Sequence, residues 1–335
     1  ASHVCGSYDD PAALDRFAAG LALCTYEFEN VPVEAAAFIA ARLPLFPSAE
    51  ALARTRDRLA ERELLRSLDL PVAPFVAVAG LDELPAAVQR LGLPAVLKRR
   101  CQGYDGRGQC VLRSSSESAL AGAWRAIGGG PAIVERQVRF ARELALLAVR
   151  GRGGETACYP LVETRQRYGI LRAAFAPAPR LTPALQAQAE AFAERLLGAL
   201  GYVGVLTVEF FEVDGALVVN EIAPRVHNAG HWTIEGAETS QFENHLRAIA
   251  GLPLGSTAAV GHSALVNLLG APPDPQPLLR LPDTHLHLYG KAPRPGRKVG
   301  HVTTRAADPA ALAARLAALG AAVPDARGDL SCEFE

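Results

Sequence analysis

Two glutamates near the ends of two apolar runs have the type and spacing of a magnesium site. Residues 203–211 and 216–222 are rich in Val, Leu and Phe, and they carry Glu209 and Glu221 respectively. Carboxylate oxygens are the ligands that Mg²⁺ prefers, and proteins usually share this ion with nucleotide phosphates. Because acids are unusual in so apolar a strand, metal binding is favoured over the simpler alternative of two solvent-facing glutamates.

The turn between the two runs decides whether these glutamates can act together. The Asp-Gly pair at 214–215 is a strong hairpin signal. A strict two-residue loop would put Glu209 opposite Asn220 and turn Glu221 to the other face. A three-residue loop over 213–215, with its glycine in the left-handed conformation, puts both glutamates on one face. They would then lie diagonally, with about 7–8 Å between Cα atoms, and could hold one or two Mg²⁺ ions.

A dense group of polar side chains follows the second glutamate. Arg225, His227, Asn228 and His231 all fall within the ten residues after Glu221. An ordinary surface loop would more often contain Ser, Asp and Lys, whereas guanidinium, imidazole and amide donors suit an anion. The pattern therefore predicts an anion site beside the metal.

Lysine is nearly absent from the chain. Of 34 basic residues, only Lys98, Lys291 and Lys298 are lysines. Arginine serves wherever a positive charge is enough, so each lysine is a candidate for a position that needs a compact ammonium on a flexible stem. Chance survival is the alternative for any one of them.

Lys98 leads into a glycine-rich segment at residues 101–109. Glycines let backbone N–H groups approach phosphate oxygens closely. The segment lacks the GK[ST] sequence and the helix of a Walker loop, and strand-like residues 110–112 follow instead. We interpret it as a β-loop-β flap that closes over a nucleotide.

The other two lysines lie in a segment of Pro, Gly and basic residues at 290–301, together with Arg297. A turn stiffened by proline and carrying this much positive charge predicts an anion site, most simply for a phosphate. A solvated basic loop is the alternative.

These residues require a mixed α/β framework to position them. The N-terminal residues favour strands at 20–27 and 45–47. Glu27 and Glu29 lie where the first of these strands ends, the place where ligands bind in doubly wound sheets. Further on, the arginines around Arg58 are predicted to be mostly solvated.

A second strand–turn–strand unit lies between residues 132 and 149. Its first strand has a polar exit at 135–138, and Glu143 opens the next strand. Such a unit suits an interdomain hinge, in which backbone groups read a base edge while a carboxylate holds ribose hydroxyls. Without the other motifs it would be an ordinary pair of strands.

Composition limits the class of protein. The chain has 335 residues, half of them hydrophobic, which suits two or three domains with sizeable cores. Its net charge of −1 gives no case for a nucleic acid or an anionic membrane as partner. We find no apolar run near the roughly 18–20 residues of a membrane span and no secretory signal. The six cysteines lack paired or zinc-binding spacings, so we expect reduced thiols and a cytoplasmic protein.

These segments resemble the N5-carboxyaminoimidazole ribonucleotide synthase family, which consists of ATP-grasp enzymes of purine biosynthesis. The resemblance covers nearly the whole chain and rests on KRRCQGYDGRGQ, GYVGV, NEIAPRVHNAGHW with SQFENHLRAI, and RPGRKVGH. The last two of these motifs separate the family from other ATP-grasp ligases. The glycine-rich first segment usual in the family is missing, so we expect the chain to begin partway into its N-terminal domain.

The resemblance implies an α/β protein with the ATP-grasp fold and an α+β lid. It implies a partial Rossmann-like domain at 1–57, an ATP-grasp domain at 58–255 with its lid at about 75–140, and a small β-rich domain at 256–335. ATP and Mg²⁺ would activate bicarbonate as carboxyphosphate, and the carboxyl group would pass to the 5-amino group of aminoimidazole ribonucleotide, releasing ADP and phosphate. A homodimer is also implied.

The resemblance assigns site residues by position. The nucleotide would be bound by Arg58, Lys98, Gly103, Tyr104, Asp105, Gly106, Arg107, Gly108, Gln109, Glu135, Arg136, Gln137, Val138, Glu143, Gln166, Asn220 and Glu221. The metal would be held by Glu209 and Glu221. The bicarbonate and carboxyphosphate site would contain Arg225, His227, Asn228 and Lys298. The ribonucleotide would be bound by Glu27, Lys291, Arg297 and Lys298.

Two other functions stay open from the sequence. One is another ATP-grasp ligase that works through an acyl phosphate, such as a formate-dependent transformylase. The other is a non-catalytic nucleotide-binding protein, against which the intact Glu209 and Glu221 argue.

Overall fold

The computed structural model describes residues 2–101, 103 and 108–330. Helices within these residues are α1 (Pro11–Ala18), α2 (Val33–Ala40), α3 (Ala49–Arg56), α4 (Arg58–Ser67), α5 (Leu84–Leu91), α6 (Glu117–Ala126), α7 (Pro183–Ala199), α8 (Thr233–Gly236), α9 (Gln241–Ala250), α10 (Pro275–Leu279) and α11 (Pro309–Ala322). Strands are β1 (Phe75–Val78), β2 (Ala95–Arg99), β3 (Gln109–Leu112), β4 (Ala132–Arg136), β5 (Arg142–Arg150), β6 (Thr156–Cys158), β7 (Val162–Arg167), β8 (Ile170–Ala176), β9 (Gly204–Val213), β10 (Ala216–Ala223), β11 (His262–Gly270), β12 (Thr284–Leu288) and β13 (Arg294–Ala306).

The smaller of two antiparallel sheets has the strand order β1-β4-β2-β3. Its apolar side packs on helices α5 and α6 through Leu84, Leu120 and Val134, all of them buried. Lys98 on β2 pairs with Gln109 on β3, which confirms that two paired strands flank the segment predicted to be the flap. The sheet lies within the stretch for which a lid is predicted.

The larger sheet runs in the order β10-β9-β5-β7-β8-β11-β13-β12, with β6 paired to β5. Helix α7 covers one face, where Phe192 packs with Leu146 and Phe210. The core on the other face includes Leu147 and Trp232. Because both faces of its central strands are covered, these strands read as nearly continuous apolar runs.

The β9–β10 hairpin brings Glu209 and Glu221 together in a way that differs from the prediction. The loop has two residues, Asp214 and Gly215, whose positive φ angles of 50° and 78° are those of a type I′ turn. A bulge between Val219 and Glu221 then shifts the register by one residue, so Glu221 pairs directly with Glu209. The predicted three-residue loop and diagonal arrangement are therefore wrong, although the two glutamates share a face.

The N-terminal strands predicted at 20–27 and 45–47 are also wrong. In the described chain this region contains a single parallel bridge, between Cys24 and Leu45. Leu45 is flanked by Pro44, and Pro47 follows two residues later. Proline has no N–H group to donate, so the ladder cannot extend on that side.

The C-terminal strands β11, β13 and β12 continue the larger sheet, and α11 packs against them through Leu312 and Leu316. The separate domain at 256–335 therefore stays a prediction. The prediction of a turn across the basic segment 290–301 is partly wrong, because β13 already begins at Arg294. Register shifts on either side of Leu269 bend this end of the β11–β13 pair. Within the described residues, no helix has the length and apolar character needed to cross a membrane.

Candidate active site

A cavity of about 430 Å³ is lined by strands of both sheets, and its volume suits a small-molecule or cofactor site. The predicted site residues that line it are Arg58, Lys98, Gly103, Gln109, Glu135, Arg136, Gln137, Val138, Glu143, Gln166, Glu209, Asn220, Glu221, Arg225, His227, Asn228 and Lys298. Predicted residues of the described chain that do not line it are Glu27, Gly108, Lys291 and Arg297. Tyr104, Asp105, Gly106 and Arg107 lie outside the described residues.

The paired glutamates differ in their electrostatic surroundings. Burial, and then the charges of Glu221 and Glu143, raise the pKa of Glu209. Burial also acts to raise the pKa of Glu221, but Arg58 and Lys98 lower it below its usual value. Arg58 Nη1 lies 3.1 Å from Glu221 Oε2. One carboxylate is thus paired with cations and the other is not.

This acid pair has the donor chemistry of a magnesium site. No group of three or more His, Cys, Asp or Glu side chains suited to a metal occurs among the described residues. Two carboxylates are enough for Mg²⁺, since this ion usually keeps waters and takes further oxygens from substrate phosphates. A cation between Glu209 and Glu221 would also offset the charge repulsion that raises the pKa of Glu209.

A buried ion network fixes Lys98 at the cavity wall. Glu135 is 3% exposed, and its two oxygens lie 2.5 Å from Lys98 Nζ and 2.5 Å from Arg62 Nε. Arg62, 1% exposed, also donates to Glu61 at 2.7 Å and to the carbonyl of Asn220 at 2.6 Å. Because both carboxylate oxygens are occupied, Glu135 acts on the cavity through Lys98.

Two arginines of α4 contradict the expectation that this arginine-rich stretch is mostly solvated. Arg62 is fully buried in the network, and Arg58 lies four residues earlier on the same helical face, against Glu221. Asp57 caps the helix by accepting from the backbone of Leu59 and also binds Arg100 at the entrance to the flap. The helix N-terminus is therefore tied to both the acid pair and the flap.

Three of the four side chains predicted after Glu221 to bind an anion line the cavity, namely Arg225, His227 and Asn228, and His231 does not. Arg225 forms an ion pair with Glu29, which also lines the cavity. Asn228 and Asn267 exchange side-chain hydrogen bonds of 3.0 and 2.6 Å. Glu27 instead lines a neighbouring cavity of about 420 Å³ in the N-terminal region.

His227 faces the acid pair with a neutral ring. Burial, followed by the charges of Arg225 and Lys298, lowers its pKa well below the usual value. Its Nδ1 accepts from the backbone N–H of Ala229 at 3.3 Å, so the ring hydrogen sits on Nε2. That Nε2 lies 3.6 Å from Glu209 Oε1.

The cavity has an apolar wall formed by Phe140 and Phe211. Phe140 and Phe211 stack with ring centroids 4.5 Å apart and planes 10° from parallel. The hinge N–H groups of Arg136 and Gln137 already donate to Pro74 and Pro94, at 2.9 and 3.2 Å.

Glu143 lies beside this wall. It is paired in register with Phe211, and burial raises its pKa to about 7. The hinge, the aromatic pair and Glu143 thus adjoin the acid pair, since the charge of Glu143 contributes to raising the pKa of Glu209.

One of the three cations predicted to bind a phosphate reaches the cavity. Lys298 lines it, and its charge contributes to lowering the pKa of His227. Lys291 is exposed, with Nζ 5.0 Å from the ring centroid of Tyr289, and Arg297 donates to the carbonyl of Ala292 at 3.2 Å.

Sequence reasoning missed several functional neighbours. These are Arg62, Phe140 and Phe211, all of which line the cavity. Phe211 could have been found, because it lies two residues after Glu209 on one strand and so shares its face. Arg62 could have been found from its place four residues after Arg58. The predicted Gln166 does line the cavity, beside a register shift between β7 and β8.

The fold and this site define an ATP-grasp protein, and residues 63–242 match the sequence model of the ATP-grasp domain. Residues 1–55 match the ribonucleotide synthetase preATP-grasp domain, and residues 263–315 match the phosphoribosylaminoimidazole carboxylase C-terminal domain. The chain is 50% identical over 321 residues to N5-carboxyaminoimidazole ribonucleotide synthase of Pseudomonas aeruginosa, covering 96% of this chain and 88% of that protein. The chain belongs to the N5-carboxyaminoimidazole ribonucleotide synthase family.

Solved structures agree with this assignment. The synthetase of Thermus thermophilus superposes with a TM-score of 0.90 at 55% identity, covering 95% of this chain and 86% of that chain. The enzyme of Aspergillus clavatus, in complex with ADP and 5-aminoimidazole ribonucleotide, gives a TM-score of 0.88 at 32% identity, covering 96% and 87%. The match at residues 263–315 favours this family over the other ATP-grasp ligases considered from the sequence.

Proposed function

We propose that this protein uses ATP and bicarbonate to carboxylate the 5-amino group of aminoimidazole ribonucleotide, a step of purine biosynthesis. The proposal rests on one observation above all: Glu209 lies opposite Glu221 in a cavity that also contains the cations Arg58, Lys98 and Lys298. Such a site suits phosphoryl transfer, which depends on positioning and on neutralising charge. The relative that holds ADP and 5-aminoimidazole ribonucleotide supports the same substrates here.

The nucleotide would lie along the cavity with its base at the hinge. The stacked pair of Phe140 and Phe211 offers an apolar surface for a purine ring. Glu143, on the strand paired with Phe211, would accept hydrogen bonds from ribose hydroxyls. Lys98, held by Glu135, would contact the phosphates under the flap.

Mg²⁺ would be held by Glu209 and Glu221 together with phosphate oxygens of the nucleotide. When bound, the ion supplies positive charge that neutralises the phosphates during transfer. Asn220 lies in the bulge that places Glu221 opposite Glu209. The bulge is held in place because the carbonyl of Asn220 accepts a hydrogen bond from the buried Arg62.

Arg225, His227, Asn228 and Lys298 would bind bicarbonate at the γ-phosphate. A bicarbonate oxygen attacks the γ-phosphorus, the bond to ADP breaks, and carboxyphosphate forms. Arg225 and Lys298 supply positive charge for the oxygens, and His227 offers the Nε2–H of a neutral ring.

The amine of aminoimidazole ribonucleotide then attacks the carboxyl carbon. A C–N bond forms, phosphate leaves with the electron pair of the broken C–O bond, and the proton lost from nitrogen passes to that phosphate. The ribonucleotide phosphate would be bound by Lys298 near the cavity, while roles for Lys291, Arg297 and Glu27 stay predictions. A homodimer and a cytoplasmic location also stay predictions.

The test is phosphate release from Mg·ATP, measured with and without bicarbonate and aminoimidazole ribonucleotide. We expect stimulation that needs both, and its loss in Glu221→Gln. The matched control is Glu243→Gln, because Glu243 pairs with Arg247 on an exposed part of α9. Stimulation by formate in place of bicarbonate would overturn the proposal, as would full activity in Glu221→Gln.

A further inference from the structure

A fully buried amide lies behind the predicted bicarbonate site. Gln241 is the first residue of α9, directly after the N-cap residue Ser240, and it is 0% exposed. Its Oε1 accepts from the backbone N–H of His227 at 2.9 Å, and its Nε2 donates to the carbonyl of the same residue at 2.7 Å. Nε2 also lies 3.0 Å from Nδ1 of His231, which therefore accepts. Both amide hydrogens and the oxygen are thus used.

The loop over residues 227–233 depends on this contact. The backbone N–H of Gln241 donates to Thr233 Oγ1 at 2.9 Å, and that hydroxyl donates to the carbonyl of Gly230 at 2.6 Å. A Cβ atom on Gly230 would collide with Leu147 and would lie 2.7 Å from Gln241 Oε1. The loop therefore packs directly on the amide, and its main chain cannot shift independently of Gln241.

We propose that Gln241 is a positioning residue for His227, and this inference rests on the proposed function. An amide presents an acceptor and a donor side by side, which matches the N–H and C=O of a single extended residue. By holding the peptide groups on both sides of His227, Gln241 fixes the direction of the imidazole. Nε2 then faces Glu209, at the place where bicarbonate would react.

The variant Gln241→Glu can distinguish a role in positioning His227 from a role in folding alone. A protonated carboxyl group still has one donor and one acceptor for His227, whereas an ionised one has only acceptors and repels the carbonyl oxygen. The histidines that contact the amide are neutral at pH 7, because burial lowers the pKa of His231 to about 4 and that of His227 well below its usual value. Burial should raise the pKa of the new carboxyl, and the positive charges of Arg225 and Lys298, which act on both histidines, oppose that rise.

The experiment measures bicarbonate-dependent carboxylation as a function of pH for wild type, Gln241→Glu and Gln241→Leu. At about pH 6 the kcat of Gln241→Glu should be within about 10-fold of the wild-type value. At about pH 8.5 it should be roughly 100-fold below the wild-type value. Gln241→Leu loses the contacts at every pH, so the ratio of its kcat to that of wild type should be low and flat. Using ratios to wild type removes the titration of Glu209 and other groups common to all variants.

Gln186→Glu is the matched control. Gln186 also binds backbone, away from the cavity: it accepts from the N–H of Leu161 at 2.8 Å and donates to the carbonyl of Tyr159 at 3.2 Å and to Glu190 Oε1 at 2.7 Å. It should lose stability without a pH-dependent fall in kcat. A flat ratio for Gln241→Glu, or the same fall in Gln186→Glu, would overturn the inference. Wild type that shows no bicarbonate-dependent carboxylation would instead defeat the proposed function.

Discussion

Replacing Glu135 by glutamine removes the charge at the centre of the buried ion network and keeps the shape of the side chain. Both oxygens of the wild-type carboxylate are occupied, one by Lys98 and one by Arg62. In Glu135→Gln one of these cations faces an amide nitrogen and the other a neutral oxygen. Because the side chain is 4% exposed, water cannot replace the lost partner.

The expected loss of stability follows from the pKa shift of Glu135. Burial alone would raise the pKa of Glu135, but Lys98 and Arg62 lower it from 4.5 to about 2. At about 1.36 kcal/mol for each pKa unit, the ionised carboxylate contributes about 3 kcal/mol to folding. Breaking a buried ion pair by removing one partner typically costs about 3–5 kcal/mol, which agrees.

The assay is urea unfolding at pH 7 for wild type, Glu135→Gln and the exposed control Glu243→Gln. We expect a loss of about 3 kcal/mol for Glu135→Gln and under about 0.5 kcal/mol for the control, whose ion pair is solvated. Because the folded pKa lies below the unfolded one, the contribution of Glu135 is complete above about pH 4.5 and is lost toward about pH 2. A free energy of unfolding within about 0.5 kcal/mol of wild type at pH 7 would refute the reasoning.

Three further changes test the cavity. Glu143 keeps its proton in the folded protein up to about pH 7 but ionises near pH 4.5 in the unfolded chain, so the free energy of unfolding falls as pH rises between these values. Glu143→Gln should reduce this fall by about 1–3 kcal/mol, which would be measured as a smaller decrease in melting temperature over the same interval. An unchanged pH dependence would contradict this. Phe211→Ala removes the stack on Phe140 and should raise the KM for ATP about 10-fold without changing that for the ribonucleotide, and equal effects on both would contradict it. Because the pKa of Glu209 is raised, Mg²⁺ binding should tighten with rising pH and release a proton in calorimetry, and Glu209→Gln should lose both effects; an affinity independent of pH would contradict this.

The hairpin illustrates what the sequence could and could not predict. Two apolar runs and an Asp-Gly turn predicted that Glu209 and Glu221 share a face, but through a three-residue loop in place of the two-residue loop and bulge that the structure contains. The bulge that aligns them depends on contacts distant in the chain: Arg62 donates to the carbonyl of Asn220, and Glu61 accepts from the backbone of Ile222. These partners are 158 and 161 residues apart, and local pattern rules do not reach that far.

Charged residues were misjudged for a related reason. The arginines of α4 have the composition of a solvated helix face, and the partner that buries Arg62 lies 73 residues away at Glu135. Glu27 and Glu29 were both candidates from their place at the end of a predicted strand, and the resemblance assigned Glu27 to the ribonucleotide. Only the position of Arg225 shows that Glu29 is the one directed at the main cavity.

The carboxylates around the cavity fall into two kinds, and the difference separates scaffold from site. Glu135 is fully matched by cations, and its pKa is lowered, so it stabilises the fold and holds Lys98. Glu209 and Glu143 lie against the cavity without an equivalent cation contact, and their pKa values are raised. Natural proteins accept such uncompensated groups mainly where function uses them. A metal ion at Glu209 and ribose hydroxyls at Glu143 would stabilise these carboxylates, so the groups whose ionisation lowers the stability of the fold are those expected to bind metal and substrate.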